Sequence, residues 1–404
     1  MADRELEIVL WGATGYTGRL VAERLAADPT LRWALAGRDR ARLEAVRKEL
    51  AARAPHAAEL PILVGDAGDA ESLAALAART RVVCTTVGPY ARHGGPLVAA
   101  CVAAGAHYCD LTGELPWIRR MIDAHHDAAR AAGVRIVHCC GFDSIPSDLG
   151  VWMLHEAARA RGRRLARVDA LFGESSGGLS GGTVASMLAL LEEAERDAAV
   201  QRLLDDPYAL DPSPRTGGPD GPDARGVSWE PRLGRWTAPF VMAAINTRVV
   251  RRTNAVSGHP YGRDFRYHER MALPAGALGL PAALAVAGGT AIAQAALRVP
   301  ALRRVASRRL PKPGQGPTPE QRARGHFVVH LLATCDDGSE LRGRVADRRD
   351  PGYGSTAVML SESALCLARD ALTTPGGVLT PASALDGALL ARLRAAGMTW
   401  EVEA

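Results

Sequence analysis

The chain has 404 residues, of which 47% are hydrophobic and 23% charged, and this balance excludes a disordered or fibrous protein. Because 49 basic residues are nearly matched by 44 acidic ones, and no basic stripe is interleaved with aromatic residues, nucleic-acid binding is not expected. The length predicts two domains, and seven cysteines without paired spacing predict reduced thiols in a cytoplasmic protein with no metal site.

The N-terminal segment is predicted to form a strand, a glycine-rich turn and a helix. An apolar run over residues 7–11 enters Gly12-Ala13-Thr14-Gly15-Tyr16-Thr17-Gly18, after which apolar residues recur with helical spacing. In a dinucleotide site Gly12 permits the tight turn, Gly15 lets the backbone approach the pyrophosphate, and Gly18 lets the helix pack closely on the strand. The spacing is GxxGxxG, a variant of GxGxxG. We predict that residues 12–18 bind a dinucleotide pyrophosphate, with an ordinary turn as the alternative.

Strands and helices alternate through the rest of the first 145 residues. The predicted strands are 32–37, 61–66, 81–87, 107–111 and 134–139, and the predicted helices are 39–53, 71–79, 95–104 and 117–132. Short apolar strands that alternate with helices are typical of a parallel, doubly wound sheet with helices on both faces. We therefore predict an α/β fold that begins with a Rossmann domain over residues 1–147.

The pattern changes beyond residue 147 and predicts a second, α+β substrate domain over residues 148–351. Its predicted helices are 148–161 and 181–196, and its strands are 168–172, 263–271, 325–334 and 340–347. Asp336-Asp337-Gly338-Ser339 predicts a hairpin turn between the last two strands. Residues 205–226, rich in Pro, Gly and Asp, are predicted to form a surface loop. The C-terminal segment, 352–404, is predicted to be helical and to pack back on the Rossmann domain.

One apolar segment stands apart from the rest of the second domain. Residues 275–297 carry no charge, Arg298 follows, and four more arginines lie between 303 and 309. The segment is long enough to cross a bilayer, although its Pro, Gly and Ala content makes it less lipophilic than a typical span. Three interpretations stay open: a buried helix pair lining an apolar pocket, peripheral lipid contact through residues 275–309, or a true span.

The end of the second predicted strand indicates which nicotinamide dinucleotide is bound. An acidic residue there would bind the ribose hydroxyls, whereas an arginine accommodates the 2′-phosphate. Arg38 lies about twenty residues beyond the glycine turn. It can bind a phosphate with two hydrogen bonds, while Gly37 leaves space and Arg40 can assist. Asp39 is the competing candidate, because an error of one residue would place a carboxylate at the ribose. We predict NADP(H).

Two further loops are predicted to contact the cofactor. Asp66 follows the third strand and either caps the next turn or binds the adenine amino group. Val87, Gly88 and Pro89 follow the fourth strand, where the loop would lie beside the nicotinamide half of the cofactor, with a simple turn as the alternative.

Several stretches together resemble the saccharopine dehydrogenase-like oxidoreductases, in the branch that includes the mycobacterial trans-acting enoyl reductases. They are the glycine turn, 87–90, 101–114 with AGAHYCDLTGE, 141–148 with GFDSIPSD, 313–317, 352–357 and 376–382. The resemblance implies reduction of a carbon–carbon double bond in an acyl or polyketide lipid precursor with NADPH as donor. It implies a small-molecule or carrier-bound acyl substrate. Saccharopine chemistry is the more distant relation.

Reduction of an enoyl thioester requires a hydrogen-bond donor and a proton source near the cofactor. Tyr90 is our first candidate for the donor, and Asp143 or Ser144 for positioning groups. The competing interpretation is that Asp143 and Ser144 only cap the helix that follows. Two other functions stay open: a dehydrogenase of amino-acid-derived imines, and a dinucleotide-binding protein that associates with lipid surfaces without turnover. A homodimer and membrane association are further open expectations.

Overall fold

The computed structural model describes residues 4–176, 181–212, 217–309, 314 and 316–403. The chain divides into two compact units. The first unit comprises Met1–Phe142, Pro313–Gly316 and Gly352–Ala396. The second unit comprises Asp143–Lys312, Pro317–Pro351 and Gly397–Ala404.

Up to residue 142 the chain alternates strands and helices. The strands are β1 (Leu6–Trp11), β2 (Trp33–Gly37), β3 (Ile62–Val64), β4 (Thr80–Thr85), β5 (His107–Cys109) and β6 (Arg135–Val137). The helices are α1 (Tyr16–Leu25), α2 (Arg40–Ala51), α3 (Ala70–Ala78), α4 (Tyr90–His93), α5 (Gly95–Ala104) and α6 (Leu115–Ala131).

Six strands and seven helices follow in the described part of the chain up to residue 347. The strands are β7 (Leu165–Ser176), β8 (Ser228–Glu230), β9 (Arg235–Pro239), β10 (Arg266–Ala272), β11 (His326–Cys335) and β12 (Glu340–Asp347). The helices are α7 (Ile145–Arg159), α8 (Gly181–Arg196), α9 (Ala198–Asp205), α10 (Ala243–Val256), α11 (Gly279–Arg298), α12 (Pro300–Arg309) and α13 (Pro319–Ala323). The C-terminal part contains α14 (Thr356–Arg369), β13 (Gly377–Leu379), α15 (Pro381–Ala395) and β14 (Thr399–Glu403).

The first unit is built on a seven-stranded parallel sheet with the order β13-β6-β5-β4-β1-β2-β3. From β1 the chain moves outward to β2 and β3, then crosses back to β4 on the other side of β1. This reversal is the switch point of a doubly wound sheet, where ligands bind at the carboxyl ends of the strands. Ile8, Val9, Val82 and Val83 are fully buried, as expected for strands covered on both faces.

The second unit is built on a seven-stranded mixed sheet with the order β14-β12-β11-β7-β10-β9-β8. Its central pair, β7 and β10, is parallel, whereas the other neighbours are antiparallel. β11 and β12 form a hairpin, paired from Phe327 with Asp347 to Thr334 with Glu340. These two sheets confirm the predicted fold class, a Rossmann sheet followed by an α+β arrangement.

The predicted elements match most of the described structure. Helices 95–104 and 181–196 and strand 340–347 have the predicted bounds, and the hairpin turn at 336–339 is present. The sequence did not predict β8, β9, β13 or β14. β13 has three residues and carries no periodicity of its own; it is a strand because it pairs with β6. β14 pairs with β12, so the C-terminal segment contains two strands besides its helices.

α11 is the one helix among the described residues that is long and apolar enough to cross a membrane. Only 6% of the apolar stretch of this helix is buried inside the protein. The apolar segment is therefore one continuous, largely exposed helix, and the expectation of a buried helix pair is wrong. A buried core helix would have lost most of its apolar surface to neighbouring elements.

Candidate functional site

The turn between β1 and α1 is packed so closely at Gly12 and Gly18 that a side chain would not fit at either position. Gly12 has a φ of +93°, which side chains disfavour, and its carbonyl accepts a hydrogen bond from the N–H of Gly15 at 3.0 Å. A β-carbon on Gly18 would overlap the carbonyl group of Gly12. No side chain caps the start of α1, where Gly15 is the N-cap. Among the residues that the structure describes, no capping side chain therefore competes with an anion at the start of α1.

Residues just after β4 hold the glycine turn in place by hydrogen bonds. The hydroxyl of Thr86 donates to the carbonyl of Gly12 at 3.2 Å, and the N–H of Thr86 donates to the carbonyl of Trp11. Thr85 then accepts from the N–H of Val87 at 3.2 Å. The loop over Val87, Gly88 and Pro89 thus starts directly beside the turn, and its contact with the nicotinamide half of the cofactor stays a prediction.

The end of β2 presents Arg38 and not Asp39 as the free side chain. Asp39 is the N-cap of α2, and its carboxylate accepts a hydrogen bond from the N–H of Arg42 at 3.1 Å. Arg38 is exposed and pairs with no acidic side chain in the described part of the chain. Arg40 lies 3.9 Å from Glu44 on the same helix. Because Asp39 is engaged as a helix cap and Arg38 is not paired with an acidic side chain, this site suits a 2′-phosphate better than a ribose hydroxyl.

Asp66 is exposed at the end of β3 and forms a local turn. Its carboxylate accepts from the N–H of Gly68 at 2.8 Å, while Asp69 caps α3. This contact matches the capping alternative of the sequence analysis, and adenine binding by Asp66 stays a prediction.

Tyr90 is buried and its hydroxyl is already used. The phenol donates to the carbonyl of Thr85 at 3.3 Å and accepts from the N–H of Leu111 at 3.2 Å. Burial raises the pKa of Tyr90 well above its usual value. The ring ties the loop after β4 to the loop after β5, whereas the donor role predicted for it stays a prediction.

Glu114 has a structural role that the sequence analysis did not identify. Its buried carboxylate accepts hydrogen bonds from the N–H groups of Tyr90 and Ala91, at 2.9 and 2.7 Å. It therefore holds the start of α4, directly after the Gly88–Pro89 loop. The signal in the sequence was the AGAHYCDLTGE stretch itself, but its partner lies more than twenty residues earlier.

Asp110 is the centre of a second buried network in the same stretch. One oxygen accepts from the Tyr108 hydroxyl at 2.9 Å and lies 2.7 Å from Nδ1 of His138; the other accepts from the N–H of Thr112 at 3.0 Å. Cys139, with a φ of +64°, also donates its N–H to Asp110. Asp110 thus orders the loops after β5 and β6, both at the carboxyl edge of the sheet.

Asp143 and Ser144 begin the second unit and precede α7. The structure gives the Asp143 carboxylate no hydrogen-bond partner among the residues it describes, and burial raises its pKa to about 6. Ser144 is fully buried and makes no side-chain cap for α7. Its hydroxyl donates instead to Asn246 at 3.0 Å. Ser144 therefore does not cap α7 with its side chain, and the helix-capping interpretation of this residue is wrong.

Asn246 belongs to a buried network that the sequence analysis missed. Its amide donates to Glu269 at 3.0 Å, and Glu269 also accepts from the hydroxyls of Ser147 and Tyr267 at 2.5 and 2.7 Å. Burial raises the pKa of Glu269 to about 7. No local pattern could have revealed this network, because its members come from α7, α10 and β10.

The residues at the carboxyl edge of the first sheet fit a dinucleotide. Gly12 and Gly18 admit no side chain, and among the described residues the start of α1 has no side-chain cap and Arg38 has no acidic partner. These features provide backbone N–H groups for a pyrophosphate and a cation for a third phosphate. The arrangement can therefore hold NADP(H), with Gly12 to Gly18 at the pyrophosphate.

Known proteins resemble this chain along its whole length. Residues 8–137 match the family model of the saccharopine dehydrogenase NADP binding domain. A Mycobacterium tuberculosis protein provisionally named a trans-acting enoyl reductase is 47% identical over 98% of this chain and 97% of its own. Trans-acting enoyl reductases of Mycobacterium bovis and Mycobacterium leprae are each 44% identical over the same shares.

A solved structure shows the same fold. Apo saccharopine dehydrogenase (L-Glu forming) from Saccharomyces cerevisiae superposes with a TM-score of 0.53 at 12% identity, covering 98% of this chain and 99% of that one. The domain match confirms the predicted cofactor, NADP(H), whereas the residues that bind it stay a prediction. Identity and coverage at these levels establish that the chain belongs to the saccharopine dehydrogenase-like oxidoreductases, in the branch of the trans-acting enoyl reductases.

Proposed function

We propose that the protein is an NADPH-dependent enoyl reductase that reduces a carbon–carbon double bond in an acyl or polyketide lipid precursor. The observation that carries this proposal is 44–47% identity to trans-acting enoyl reductases over 98% of the chain. The saccharopine dehydrogenase likeness supports the fold alone, at 12% identity. An imine dehydrogenase therefore has weaker support.

Bound NADPH would supply a hydride, and the protein would orient it. In this proposal the residues of the first unit bind and position the cofactor. The glycine turn and the start of α1 hold the pyrophosphate, Arg38 holds the 2′-phosphate, and the loop of Val87 to Pro89 borders the nicotinamide half. Glu114 and Asp110 keep the loops at this edge in place, because each accepts several backbone N–H groups.

Among the three candidate catalytic residues, Asp143 is best suited to hold a proton. Its carboxyl has no partner among the described residues and its pKa is raised to about 6, whereas the hydroxyls of Tyr90 and Ser144 are engaged. Asp143 follows Phe142, whose N–H is held by Thr356 at 3.1 Å in the loop that leaves β6. We assign the proton donor to Asp143, whereas Ser144 is bound to Asn246 and Tyr90 orders the loop after β4.

The decisive experiment measures NADPH consumption against three panels of acceptors. Enoyl thioesters on coenzyme A and on an acyl carrier protein form the first, amino-dicarboxylate precursors the second, and buffer alone the third. We expect turnover with enoyl thioesters only. Turnover with the amino-acid panel would favour the imine dehydrogenase. Tight NADPH binding without consumption in any panel would indicate a non-catalytic dinucleotide-binding protein.

The proposal also covers the form of the substrate, the cellular location and the oligomeric state. A carrier-bound acyl substrate and a cytoplasmic location are consistent with an NADP(H)-dependent reductase of this fold. Gel filtration with light scattering would decide between a monomer and a homodimer.

A further inference from the structure

The exposed apolar surface of α11 and α12 has no counterpart elsewhere in the described structure. In the described part of the chain the buried residues of α11 are Gly279 and Ala283, both near its start, where the helix is attached to the second unit. Ala283 packs with Ala238 and Leu273, and Trp236 lies beside them. Beyond this attachment, large apolar side chains of α11 face solvent: Leu284 is 55% exposed and Ile292 is 72% exposed.

These apolar side chains recur at helical spacing. Leu280, Leu284 and Ile292 are spaced by multiples of four, which places them along one side of α11. Val299, Leu302 and Val305 are exposed at a spacing of three on and before α12. Seven of the ten large apolar side chains that are exposed in the described structure lie within residues 278–305, and such clustering marks an interaction surface.

The charge around these apolar side chains has one sign. Residues 270–319 contain no acidic residue, while Arg298, Arg303 and Arg304 lie among the seven basic ones. Arg298 is exposed and pairs with no acidic side chain among the described residues. Such a basic, apolar surface would repel a second copy of itself but attract a negatively charged lipid surface.

An exposed tryptophan lies close to the start of α11. Trp229 on β8 is 50% exposed and contacts Trp236 edge-to-face, with ring centroids 5.5 Å apart. Trp236 in turn borders Gly279, the first residue of α11. Tryptophan is enriched where protein meets the boundary between lipid and water, so this position is consistent with the same surface.

A spanning orientation conflicts with how the two helices are held. The start of α11 is packed on β9, and Arg303 of α12 forms a two-contact ion pair with Glu195 of α8, at 2.6 and 2.9 Å. Both attachments belong to the second unit. A span of α11 would place its ends about 30 Å apart on opposite sides of a bilayer.

From these contacts we infer that α11 and α12 form a docking surface for an anionic phospholipid membrane. The helices lie in the plane of the interface, with Leu284 and Ile292 directed into the acyl region and Arg298 at the headgroups. The inference does not depend on the proposed enzymatic activity, because it rests on the second unit alone.

Vesicle flotation of the full-length protein tests the inference. We expect flotation with vesicles of phosphatidylglycerol and phosphatidylcholine, little with phosphatidylcholine alone, and a loss of binding as salt is added. Leu284→Gln with Ile292→Gln should abolish binding, and Arg298→Gln should weaken it about fivefold. Val241→Gln, another exposed aliphatic position in the second unit, is the matched control and should bind normally.

Two readouts separate membrane docking from its alternatives. Brominated lipids should quench the fluorescence of the wild type more than that of Trp229→Phe. Failure to float with anionic vesicles, or equal flotation with both vesicle types, would overturn the inference. So would a concentration-dependent dimer that Leu284→Gln with Ile292→Gln converts to monomer without any vesicle binding. NADPH consumption with soluble enoyl thioesters should be unchanged in these variants, which separates this test from that of the proposed function.

Discussion

The carboxylate of Glu114 accepts the N–H of Tyr90 at 2.9 Å, across 24 residues of sequence. A second oxygen of the same carboxylate accepts the N–H of Ala91 at 2.7 Å. Glu114 thereby holds the loop after β4, which we propose to border the nicotinamide half of the cofactor.

Glu114→Gln should weaken both the fold and cofactor binding. The amide can accept only one of the two N–H groups, so one buried donor loses its partner at a cost of about 1–3 kcal/mol. We expect a lower free energy of unfolding in urea and a higher Kd for NADPH in fluorescence titration. Glu71→Gln, an exposed glutamate on α3, serves as control. Unchanged NADPH affinity in Glu114→Gln would contradict the proposed role of this loop.

Gly15→Ala should weaken NADPH binding with little loss of stability, whereas Gly18→Ala should destabilise the fold. A β-carbon on Gly15 meets only the carbonyl of Gly12, at 3.4 Å, so the free protein tolerates it, whereas a bound pyrophosphate would lose the close approach. NADPH affinity should fall about tenfold or more, a difference of ~1.4 kcal/mol, with little change in Tm. Gly18→Ala overlaps the Gly12 carbonyl and should cost ~1–3 kcal/mol of stability. Normal NADPH affinity in Gly15→Ala would refute the placement of the pyrophosphate.

Arg38→Ala should reduce the preference for NADPH over NADH. Loss of a charged hydrogen bond to the 2′-phosphate costs about 1.5–3 kcal/mol, which corresponds to roughly tenfold or more in Kd for NADPH. Binding of NADH should change little. Lys48→Ala, an exposed cation farther along α2, is the control, and Asp39→Asn retains the cap of α2. Equal losses for both dinucleotides in Arg38→Ala would contradict this assignment.

Asp143→Asn should lower turnover by roughly 10²–10⁴-fold if Asp143 supplies the proton. Because the pKa of Asp143 is raised to about 6, the wild-type carboxyl loses its proton as pH rises through that value. The wild-type kcat should therefore fall above about pH 6, while the residual kcat of the variant should lack this step. Asp127→Asn, an exposed position on α6, controls for the loss of a carboxylate. An identical pH profile in Asp143→Asn and wild type would remove Asp143 from the mechanism.

Glu269 should make the protein less stable as pH rises. Burial raises the pKa of Glu269 from 4.5 to about 7, so the folded state binds the proton more tightly than the unfolded state. This contribution to stability is fully present below pH 4.5 and is lost as pH rises through 7, with a total of roughly 3 kcal/mol.

The pH slope of unfolding in Glu269→Gln tests this contribution. Urea titrations between pH 5 and pH 8 should show a smaller decline of the free energy of unfolding in Glu269→Gln than in wild type. Glu340→Gln, an exposed glutamate on β12, should retain the wild-type slope. The same slope in all three proteins would show that Glu269 does not titrate in this range.

The sequence alone determined the alternation of the first unit and the position of its glycine turn. Short apolar strands, helical periodicity and the Gly12 to Gly18 spacing are local signals, because strand and helix repeat every two and 3.6 residues. The sequence analysis preferred Arg38 to Asp39 as the residue at the 2′-phosphate without excluding Asp39. Both residues fit the sequence position, and only the hydrogen bond from the N–H of Arg42 shows that Asp39 is used as a cap.

The remaining features were decided by tertiary contacts, which have no fixed spacing in the chain. Glu114 holds Tyr90 from 24 residues away, and Glu269 meets Ser147 across 122 residues. β13 is a strand only because β6 offers it an edge. The exposure of α11 was likewise undetermined by its composition, since an alanine-rich apolar helix suits a core, a membrane surface or a span, and only its neighbours distinguish them.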